Sequence, residues 1–286
     1  MEDIKTVGLI INRYKEDIIE VGLQAKFILN KHQVGVVAIG QEAEAMGMEP
    51  VTEEEFQKRA QLVLVIGGDG TMLRAARTVY EQETPILGIN QGHLGFLTEI
   101  EVECLEESLL QFLEGDYEIE HRMMLTSRVY RNNKCIDEMN ALNDLVVTKG
   151  ALSRIIKLEL YLDGRIVERY YGDGLIFSTP TGSTGYSLSA GGPVVQPEID
   201  LCIVSPICPH SLIARPLIFS PEHTLVVRFG SNYAPAMLTV DGQNGVELKR
   251  GDWIEIKKAK YDTSLVVLKK KNFFSVLRGK LKAEDA

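Results

Sequence analysis

The first 120 residues alternate short apolar runs with longer stretches in which apolar residues recur at helical spacing. The apolar runs predict strands at residues 7–11, 34–39, 62–66 and 85–90. The helical stretches predict helices at residues 16–29, 72–80 and 102–113. Uninterrupted apolar strands between amphipathic helices are typical of a parallel sheet that is covered on both faces. We therefore predict an α/β domain over residues 1–120.

The pattern changes after residue 117 to short strands separated by turn residues, with no linker rich in proline or serine. Strands are predicted at residues 125–130, 142–147, 157–162, 165–170, 175–178, 201–204, 224–229, 236–240, 253–257 and 264–268. Asp163-Gly164 is a strong signal for a two-residue hairpin between two of them. These features predict a β-rich, layered domain over residues 121–269, followed by a short helix at residues 273–282.

Charge and cysteine content limit the possible partners and compartment. The formal net charge is −9, so a nucleic acid is a poor candidate partner, although a local backbone site can still bind phosphate. The four cysteines show no CxxC spacing, which is typical of reduced thiols in a cytosolic protein. No apolar run approaches the about 20 residues of a membrane span, and no basic, apolar leader is evident. We expect a soluble, cytoplasmic protein without a membrane or nucleic-acid partner.

A glycine-rich turn, Gly67-Gly68-Asp69-Gly70-Thr71, separates the most apolar strand from the helix predicted to begin near Met72. Glycines let a ligand approach the backbone, and the free N–H groups of a helix start attract anions, so the turn favours phosphate. Thr71 is expected to be the N-cap of the helix. The turn is not a Walker P-loop, because no Gly-Lys-Ser/Thr follows, and it lacks the third glycine of the dinucleotide fingerprint.

Asp69 is the unusual member of this turn, because a carboxylate in a phosphate site needs a metal or a chemical task to offset its charge. It could accept the proton of an attacking hydroxyl or contact Mg²⁺; alternatively, it only pins the turn. A second loop, residues 90–96, follows the next strand and should face the same crevice. In this loop Phe96 is expected to be either an apolar wall or core, and His93 fits a core or surface role, with ligand contact as the alternative.

The densest polar signal is the loop at residues 179–193, which carries glycines and hydroxyl groups suited to ribose or phosphate oxygens. Ser183 or Thr184 is expected to cap a short helix within it. Asn143-Asp144 opens a predicted strand and could grip ribose hydroxyls or an adenine edge, with a turn cap as the alternative. Gly172-Asp173-Gly174 and Asp241-Gly242-Gln243 are, by themselves, more typical of plain hairpin turns.

Taken together and in this order, these motifs resemble the NAD kinase family, and the resemblance covers essentially the whole chain. The glycine turn alone is equally similar to diacylglycerol and sphingosine kinases and to 6-phosphofructokinase. The loop at residues 179–193, combined with Asn143-Asp144, is more specific and favours NAD kinase. The resemblance implies phosphorylation of the 2′-hydroxyl on the adenosine ribose of NAD, with ATP or polyphosphate as donor.

The resemblance also implies an architecture and a set of site residues. Residues 270–286 return to the α/β domain, and the chain forms a homodimer or homotetramer. Asp69 is the catalytic base, with Gly70 beside the nucleotide. The NAD pocket is assigned, by matched position, to Asn143, Asp144, Arg154, Asp173, Thr184, Gly185, Tyr186, Ser187, Leu188, Ser189 and Gln243. The sequence departs from the family at Tyr171, where arginine is frequent, so an expected cationic contact is in doubt.

No cluster of metal-ligating residues is evident, so we expect Mg²⁺ to arrive with the phosphates of ATP rather than in a protein-held cage. The basic residues near the C-terminus, which include Arg278 and Lys280, are expected to form a solvated face; they could instead complement acidic neighbours or a donor nucleotide. Two alternatives to NAD kinase stay open at this point. One is a lipid or sugar kinase of the same superfamily, and the other is a module that senses NAD or NADP without turnover.

Overall fold

The computed structural model describes residues 4–12, 16–90, 95–98, 100–150, 155–230, 235–269 and 272–284. These residues fall into two compact units, which are treated separately below. The first unit comprises Met1–His121 with Thr263–Ala286, and the second comprises Arg122–Asp262.

The secondary structure is numbered in chain order. The strands are β1 (Thr6–Ile11), β2 (Gly35–Ala38), β3 (Leu62–Ile66), β4 (Ile86–Asn90), β5 (Ile100–Glu101), β6 (Glu118–Arg122), β7 (Leu125–Arg131), β8 (Lys134–Ala141), β9 (Asp144–Lys149), β10 (Ile156–Leu162), β11 (Arg165–Gly172), β12 (Gly174–Ser178), β13 (Cys202–Ile207), β14 (Leu217–Phe219), β15 (Leu225–Phe229), β16 (Ala236–Val240), β17 (Asn244–Leu248), β18 (Trp253–Lys258) and β19 (Thr263–Val267). The helices are α1 (Glu16–Lys31), α2 (Gly40–Ala45), α3 (Glu53–Arg59), α4 (Asp69–Thr78), α5 (Leu105–Leu113), α6 (Tyr186–Ser189) and α7 (Phe273–Glu284).

The first unit is built on a mostly parallel sheet with strand order β2-β1-β3-β4-β19-β6 and with β5 beside β4. Strand β1 is parallel to β2 and β3, and β4 is parallel to β3 and β19. All five residues of β3 are buried, as expected for a central strand covered on both faces. Residues of α1 and α5 complete the core beside Leu9 and Leu64. The predicted α/β fold of this part of the chain is confirmed.

Strand β19 belongs to the parallel sheet of the first unit. The domain boundaries predicted from the sequence placed residues 264–268 in the β-rich domain instead. Strand β19 pairs in parallel with β4 through Leu265 and Ile86, and four of its residues are buried. A short apolar strand carries no local signal that tells which sheet it joins, because the partner strand is distant in sequence. Helix α7 follows it in the same unit.

Helices α2 and α3 were not predicted from the sequence. Helix α3 nevertheless carries a recognisable start, because the Thr52 side chain accepts from the Glu55 backbone N–H at 3.2 Å and the Glu55 carboxylate accepts from the Thr52 N–H at 3.1 Å. This is a capping box, whose Thr-x-x-Glu pattern is visible in the sequence. No helix in the described ranges combines the length and apolarity that a membrane crossing requires.

The second unit contains, among its described residues, two six-stranded antiparallel sheets. Their strand orders are β11-β10-β15-β18-β7-β8 and β14-β13-β12-β9-β16-β17. Side chains from both sheets, such as Leu158 and Ile254 from one and Val147 and Phe177 from the other, share a single core. The prediction of a β-rich, layered domain is confirmed. The Asp163-Gly164 hairpin forms as predicted, with both residues at positive φ (48° and 80°) between β10 and β11.

Gly174 in β12 is a position where the fold tolerates no side chain. A Cβ atom there would clash with the Val147 carbonyl and lie 3.1 Å from the Thr148 Cα, both in the backbone of β9. We predict that Gly174→Ala lowers the free energy of unfolding by about 1–3 kcal/mol, the usual cost of overpacking a core. Urea denaturation followed by circular dichroism measures this change.

Gly230→Ala is a matched control in the same unit, because the nearest atom to its added Cβ is Lys157 Cδ at an ordinary 3.7 Å. Its unfolding midpoint should stay close to that of the wild type. Equal stability of the two variants would contradict the role assigned to Gly174.

Candidate active site

The glycine turn of the first unit connects the buried strand β3 to helix α4. The helix begins at Asp69, with Gly68 as N-cap, so the predicted N-cap Thr71 is wrong. Instead, the Thr71 backbone N–H donates to the Gly68 carbonyl at 2.9 Å, and its side chain packs against Gly67, whose Cβ would lie 2.5 Å from Thr71 Oγ1. A glycine at the N-cap exposes the first backbone N–H groups of the helix, as an anion site requires.

The Asp69 carboxylate is held by the loop that follows β4. Its Oδ2 accepts from the Phe96 backbone N–H and its Oδ1 from the Leu97 backbone N–H, each at 3.0 Å. The expectation that the two loops share one edge of the sheet is therefore correct for the described residues of the second loop. Asp69 pins this neighbouring loop rather than its own turn, and its side chain stays 31% exposed. His93 lies outside the described residues.

A lysine of helix α7 lies beside this carboxylate. The Lys280 ammonium of α7 lies 3.8 Å from Asp69 Oδ2 and 4.7 Å from the centre of the Phe96 ring. Phe96 also contacts Phe273, with ring centres 6.5 Å apart. Because Phe96 is half-buried, plain core is wrong, and its role as an apolar wall stays a prediction. Lys280 is 33% exposed and faces an acidic neighbour, so for this residue the solvated face is wrong and the alternative, a basic residue that complements an acidic neighbour, is correct.

In the second unit, Asn143 and Asp144 stand at the start of β9, next to the hairpin between β16 and β17. The Asp241 carboxylate in that hairpin accepts from the backbone N–H groups of Leu142, Asn143 and Asp144, at 3.3, 2.8 and 3.2 Å. Asp241 itself has a φ of 49°. Asp241-Gly242 is therefore a hairpin turn, as predicted, but its carboxylate also fixes the Asn143-Asp144 backbone, which the sequence analysis missed.

The Asp144 side chain is 6% exposed and has an unusual proton affinity. Burial, and secondly the negative charge of Asp241, raise the pKa of this carboxyl to about 7. Near neutral pH it therefore changes between a hydrogen-bond donor and an ionised acceptor. A buried carboxyl with so strongly shifted a pKa is a reasonable candidate for a ligand-binding residue.

The loop at residues 179–193 forms a 3-10 turn at Thr181–Thr184 and then α6. The helix has Gly185 as N-cap, so the predicted caps Ser183 and Thr184 are wrong. Ser183 Oγ instead bonds both the N–H and the carbonyl of Val195. These bonds hold the loop against the segment that follows it.

Several other hydroxyl groups of this loop are also engaged within the protein. Thr179 Oγ1 donates to the Leu142 carbonyl at 2.6 Å, and Ser187 Oγ lies 3.0 Å from Ser205 Oγ. These hydroxyl groups therefore stabilise the conformation of the loop and are not available to a ligand. Gly185 faces the pair at the start of β9: its Cβ would lie 3.7 Å from Asn143 Nδ2 and 3.9 Å from Asp144 Oδ2.

The remaining predicted residues are distributed around this region. Among the loop residues, Tyr186 and Ser189 are exposed, and Thr184 and Leu188 are half-buried. Gln243 is exposed in the β16–β17 hairpin, and Arg154 lies outside the described residues.

Asp173 forms an ion pair with Lys149 at 2.8 Å. Asp173 is the residue between the end of β11 and the start of β12, and these two strands belong to different sheets. The interpretation of Gly172-Asp173-Gly174 as a plain hairpin turn is therefore wrong. Lys149 carried no motif that sequence reasoning could use.

Within the described ranges, no group of three or more His, Cys, Asp or Glu side chains is arranged to hold a metal ion. The first unit thus has a glycine-rich turn at a helix start beside an oriented carboxylate, and the second has a polar pair facing a glycine. These are features expected of a nucleotide phosphotransferase.

Comparison with known proteins identifies the family within this class. Two family models match the chain, the ATP-NAD kinase N-terminal domain over residues 7–117 and the ATP-NAD kinase C-terminal domain over residues 142–268. An NAD kinase from Natranaerobius thermophilus is 41% identical over 280 residues, which cover 97% of this chain and 98% of that protein. The chain therefore belongs to the NAD kinase family.

Solved structures agree with this assignment. The crystal structure of yeast NADH kinase complexed with NADH matches with a TM-score of 0.90 and 25% identity, covering 98% of this chain and 87% of that one. An NAD kinase from Archaeoglobus fulgidus in complex with ATP matches with a TM-score of 0.76 and 28% identity, covering 97% and 98%. The predicted family, fold class and NAD kinase function are confirmed, and neither the lipid- or sugar-kinase alternative nor the non-catalytic one gains support.

The Asp144 carboxyl gives a pH-dependent prediction. Because its pKa is raised from 3.8 to about 7, the folded state binds a proton that the unfolded state releases between these values. This carboxyl therefore destabilises the fold progressively as the pH rises from about 4 to 7. Asp144→Asn should gain stability relative to the wild type over that range, by a few kcal/mol at most, since a tenfold change in proton affinity corresponds to about 1.4 kcal/mol.

Urea denaturation of both proteins at pH 5, 6, 7 and 8 measures the difference. A stability difference that does not change with pH would contradict the raised pKa.

Proposed function

We propose that this protein transfers the γ-phosphoryl group of ATP to the 2′-hydroxyl on the adenosine ribose of NAD, giving NADP and ADP. In this step a bond forms between the ribose oxygen and the γ-phosphorus, and the bond from that phosphorus to the β–γ bridging oxygen breaks. The hydroxyl proton passes to Asp69, and ADP leaves. The family assignment supports the reaction, and the geometry of the first unit supports the role of Asp69.

The observation that carries the role of Asp69 is the way its carboxylate is held. The Phe96 and Leu97 backbone N–H groups fix its orientation but use one acceptor position on each oxygen. An ionised carboxylate has about four acceptor positions, so two remain for a hydroxyl group. An oriented carboxylate within hydrogen-bond reach of an alcohol is what general-base catalysis requires. Gly70, in the first turn of α4, lies next to this base and beside the proposed nucleotide position.

The second unit supplies the groups proposed to recognise NAD. Asn143 Nδ2 can donate and Asp144 Oδ2 can accept, and both face Gly185. Such a pair can bind adjacent ribose hydroxyls or an adenine edge. The other residues proposed for this pocket by family resemblance are Arg154, Asp173, Thr184, Tyr186, Ser187, Leu188, Ser189 and Gln243. Because the Ser187 hydroxyl is buried against Ser205, we assign it a supporting role in shaping α6.

We further propose that Mg²⁺ enters with ATP, bound to its phosphates, where it supplies charge neutralisation for the transferred group. The carboxylate of Asp69 already has two backbone donors and an ammonium beside it, which disfavours a second cation on the same group. The residues present therefore fit a metal carried by the nucleotide.

A cytoplasmic location and a homodimeric or homotetrameric state complete the proposal. All four cysteines are unpaired, which suits a reducing compartment. The resemblance to the NAD kinase family supports the oligomer.

Replacing the proposed base tests the mechanism. We predict that Asp69→Asn lowers kcat by about 10²–10⁴, the usual contribution of a general base. The amide retains one oxygen acceptor, so the fold should survive, which a thermal melt verifies. Asp17→Asn, at an exposed position of α1, is the matched control and should keep full activity. A folded Asp69→Asn variant with unchanged turnover would reject the base role.

Replacing the proposed amide contact tests acceptor recognition. We predict that Asn143→Ala raises the KM for NAD by about 2- to 10-fold, the equivalent of one hydrogen bond of 0.5–1.5 kcal/mol, and leaves the KM for ATP unchanged. Asn30→Ala, exposed on α1, should change neither value. Steady-state kinetics with each substrate varied in turn separates the effects, and equal changes in both KM values would remove Asn143 from the acceptor site.

A further inference from the structure

The C-terminal helix α7 brings a lysine to the candidate catalytic carboxylate. Lys280 Nζ lies 3.8 Å from Asp69 Oδ2, and both side chains are about one-third exposed. This distance exceeds that of a hydrogen bond, so the ammonium is near the carboxylate without being saturated by it. Among the residues that the structure describes, its other contact is the face of the Phe96 ring, at 4.7 Å.

The helix is anchored on the same loop that holds Asp69. Phe273 in the first turn of α7 contacts Phe96, and Phe96 donates its backbone N–H to Asp69 Oδ2. Phe273 and Lys280 are seven residues apart, which is about two helical turns, so they project from the same face of the helix. The packing of one aromatic residue therefore sets the position of the lysine relative to the carboxylate.

A surface ion pair explains this arrangement poorly. Exposed pairs contribute about 0–1 kcal/mol, and most involve side chains that are not otherwise constrained. Here the lysine lies over an aromatic ring next to the glycine turn, where Gly68 has open space around its Cβ direction. The ammonium therefore lies beside Asp69 at the N-terminus of α4, where the positive end of the helix dipole and the lysine charge together suit an anion.

A buried hydroxyl marks the same place. Thr98 is fully buried, and within the described part of the chain its Oγ1 has no hydrogen-bond partner. A Cβ atom on Gly95 would clash with both Thr98 Oγ1 and Asp69 Oδ1, so the two oxygens flank one small space. An unsatisfied buried hydroxyl is costly, and its presence beside Asp69 is typical of a site arranged for chemistry.

We propose that Lys280 is a further catalytic residue, whose ammonium contacts the terminal phosphate of the donor beside Asp69. In the reaction it makes no covalent bond and keeps its proton. It offsets the negative charge of the transferred group and allows an anionic phosphoryl group to approach an anionic base. This inference rests on the proposed ATP-dependent function, and it makes α7 part of the site although α7 lies about 200 residues beyond Asp69 in the sequence.

The test compares Lys280→Gln and Lys280→Arg with the wild type. Lys280→Gln removes the charge and should lower kcat by about 10²-fold, the size typical of losing one group that stabilises developing charge. It should leave the KM for NAD unchanged. Lys280→Arg keeps the charge and should recover most of the loss. Arg278→Gln removes a positive charge from an exposed position on the same helix and should behave as the wild type.

A binding measurement separates phosphate contact from a structural role. Calorimetric titration with Mg-ATP and with Mg-ADP should show that Lys280→Gln weakens ATP binding about 10-fold and leaves ADP binding unchanged, because ADP lacks the terminal phosphate. Equal losses for both nucleotides with a lowered melting temperature, or unchanged kcat and unchanged ATP affinity, would overturn the proposal. A wild-type protein that forms no NADP from NAD and Mg-ATP would instead reject the proposed function itself.

Discussion

The first unit depends on one carboxylate that joins two loops. Strands β3 and β4 are parallel neighbours, so the loops at their carboxyl ends meet at the same edge of the sheet. Asp69 begins the helix after β3 and accepts backbone hydrogen bonds from the loop after β4. Phe96 in that loop also receives α7 through Phe273. The carboxylate, the glycine turn and the C-terminal helix therefore hold fixed positions relative to one another, as phosphoryl transfer by positioning requires.

In the second unit, too, a carboxylate orders a short segment of backbone. Asp241 accepts three backbone N–H groups and so fixes the segment that carries Asn143 and Asp144. Burial of Asp144, and secondly the negative charge of the nearby Asp241, raise the pKa of the Asp144 carboxyl. In both units a carboxylate that accepts backbone hydrogen bonds orders a short segment, and small residues keep the neighbouring space open. Gly185 serves this purpose beside Asn143 and Asp144.

Local patterns predicted most of the fold but little of the site geometry. The bounds of β3 and β16 were predicted without error, because apolar runs and alternation are local signals. The hydrogen bond between Asp69 and Phe96 joins residues 27 positions apart, and the one between Asp241 and Asn143 joins residues 98 positions apart. Local sequence patterns do not predict contacts between such distant segments. The sequence left Lys280 open between a solvated face and a partner for an acidic group, and nothing local to it identified Asp69, about 210 residues away, as that group. The hydroxyl groups at residues 179–193 indicated a binding loop, but several of them bond to neighbouring segments of the protein and hold the loop in place.

The central claim is that the oriented carboxylate serves transfer to one hydroxyl of a dinucleotide. ³¹P NMR of the products formed from NAD and Mg-ATP, compared with those from NAD lacking the adenosine 2′-hydroxyl, tests it most directly. The account predicts one new phosphomonoester at the adenosine 2′ position for each ADP released, and no product from the deoxy compound. A phosphomonoester at another position, equal reaction of the deoxy compound, or ADP release without a new ester would contradict it.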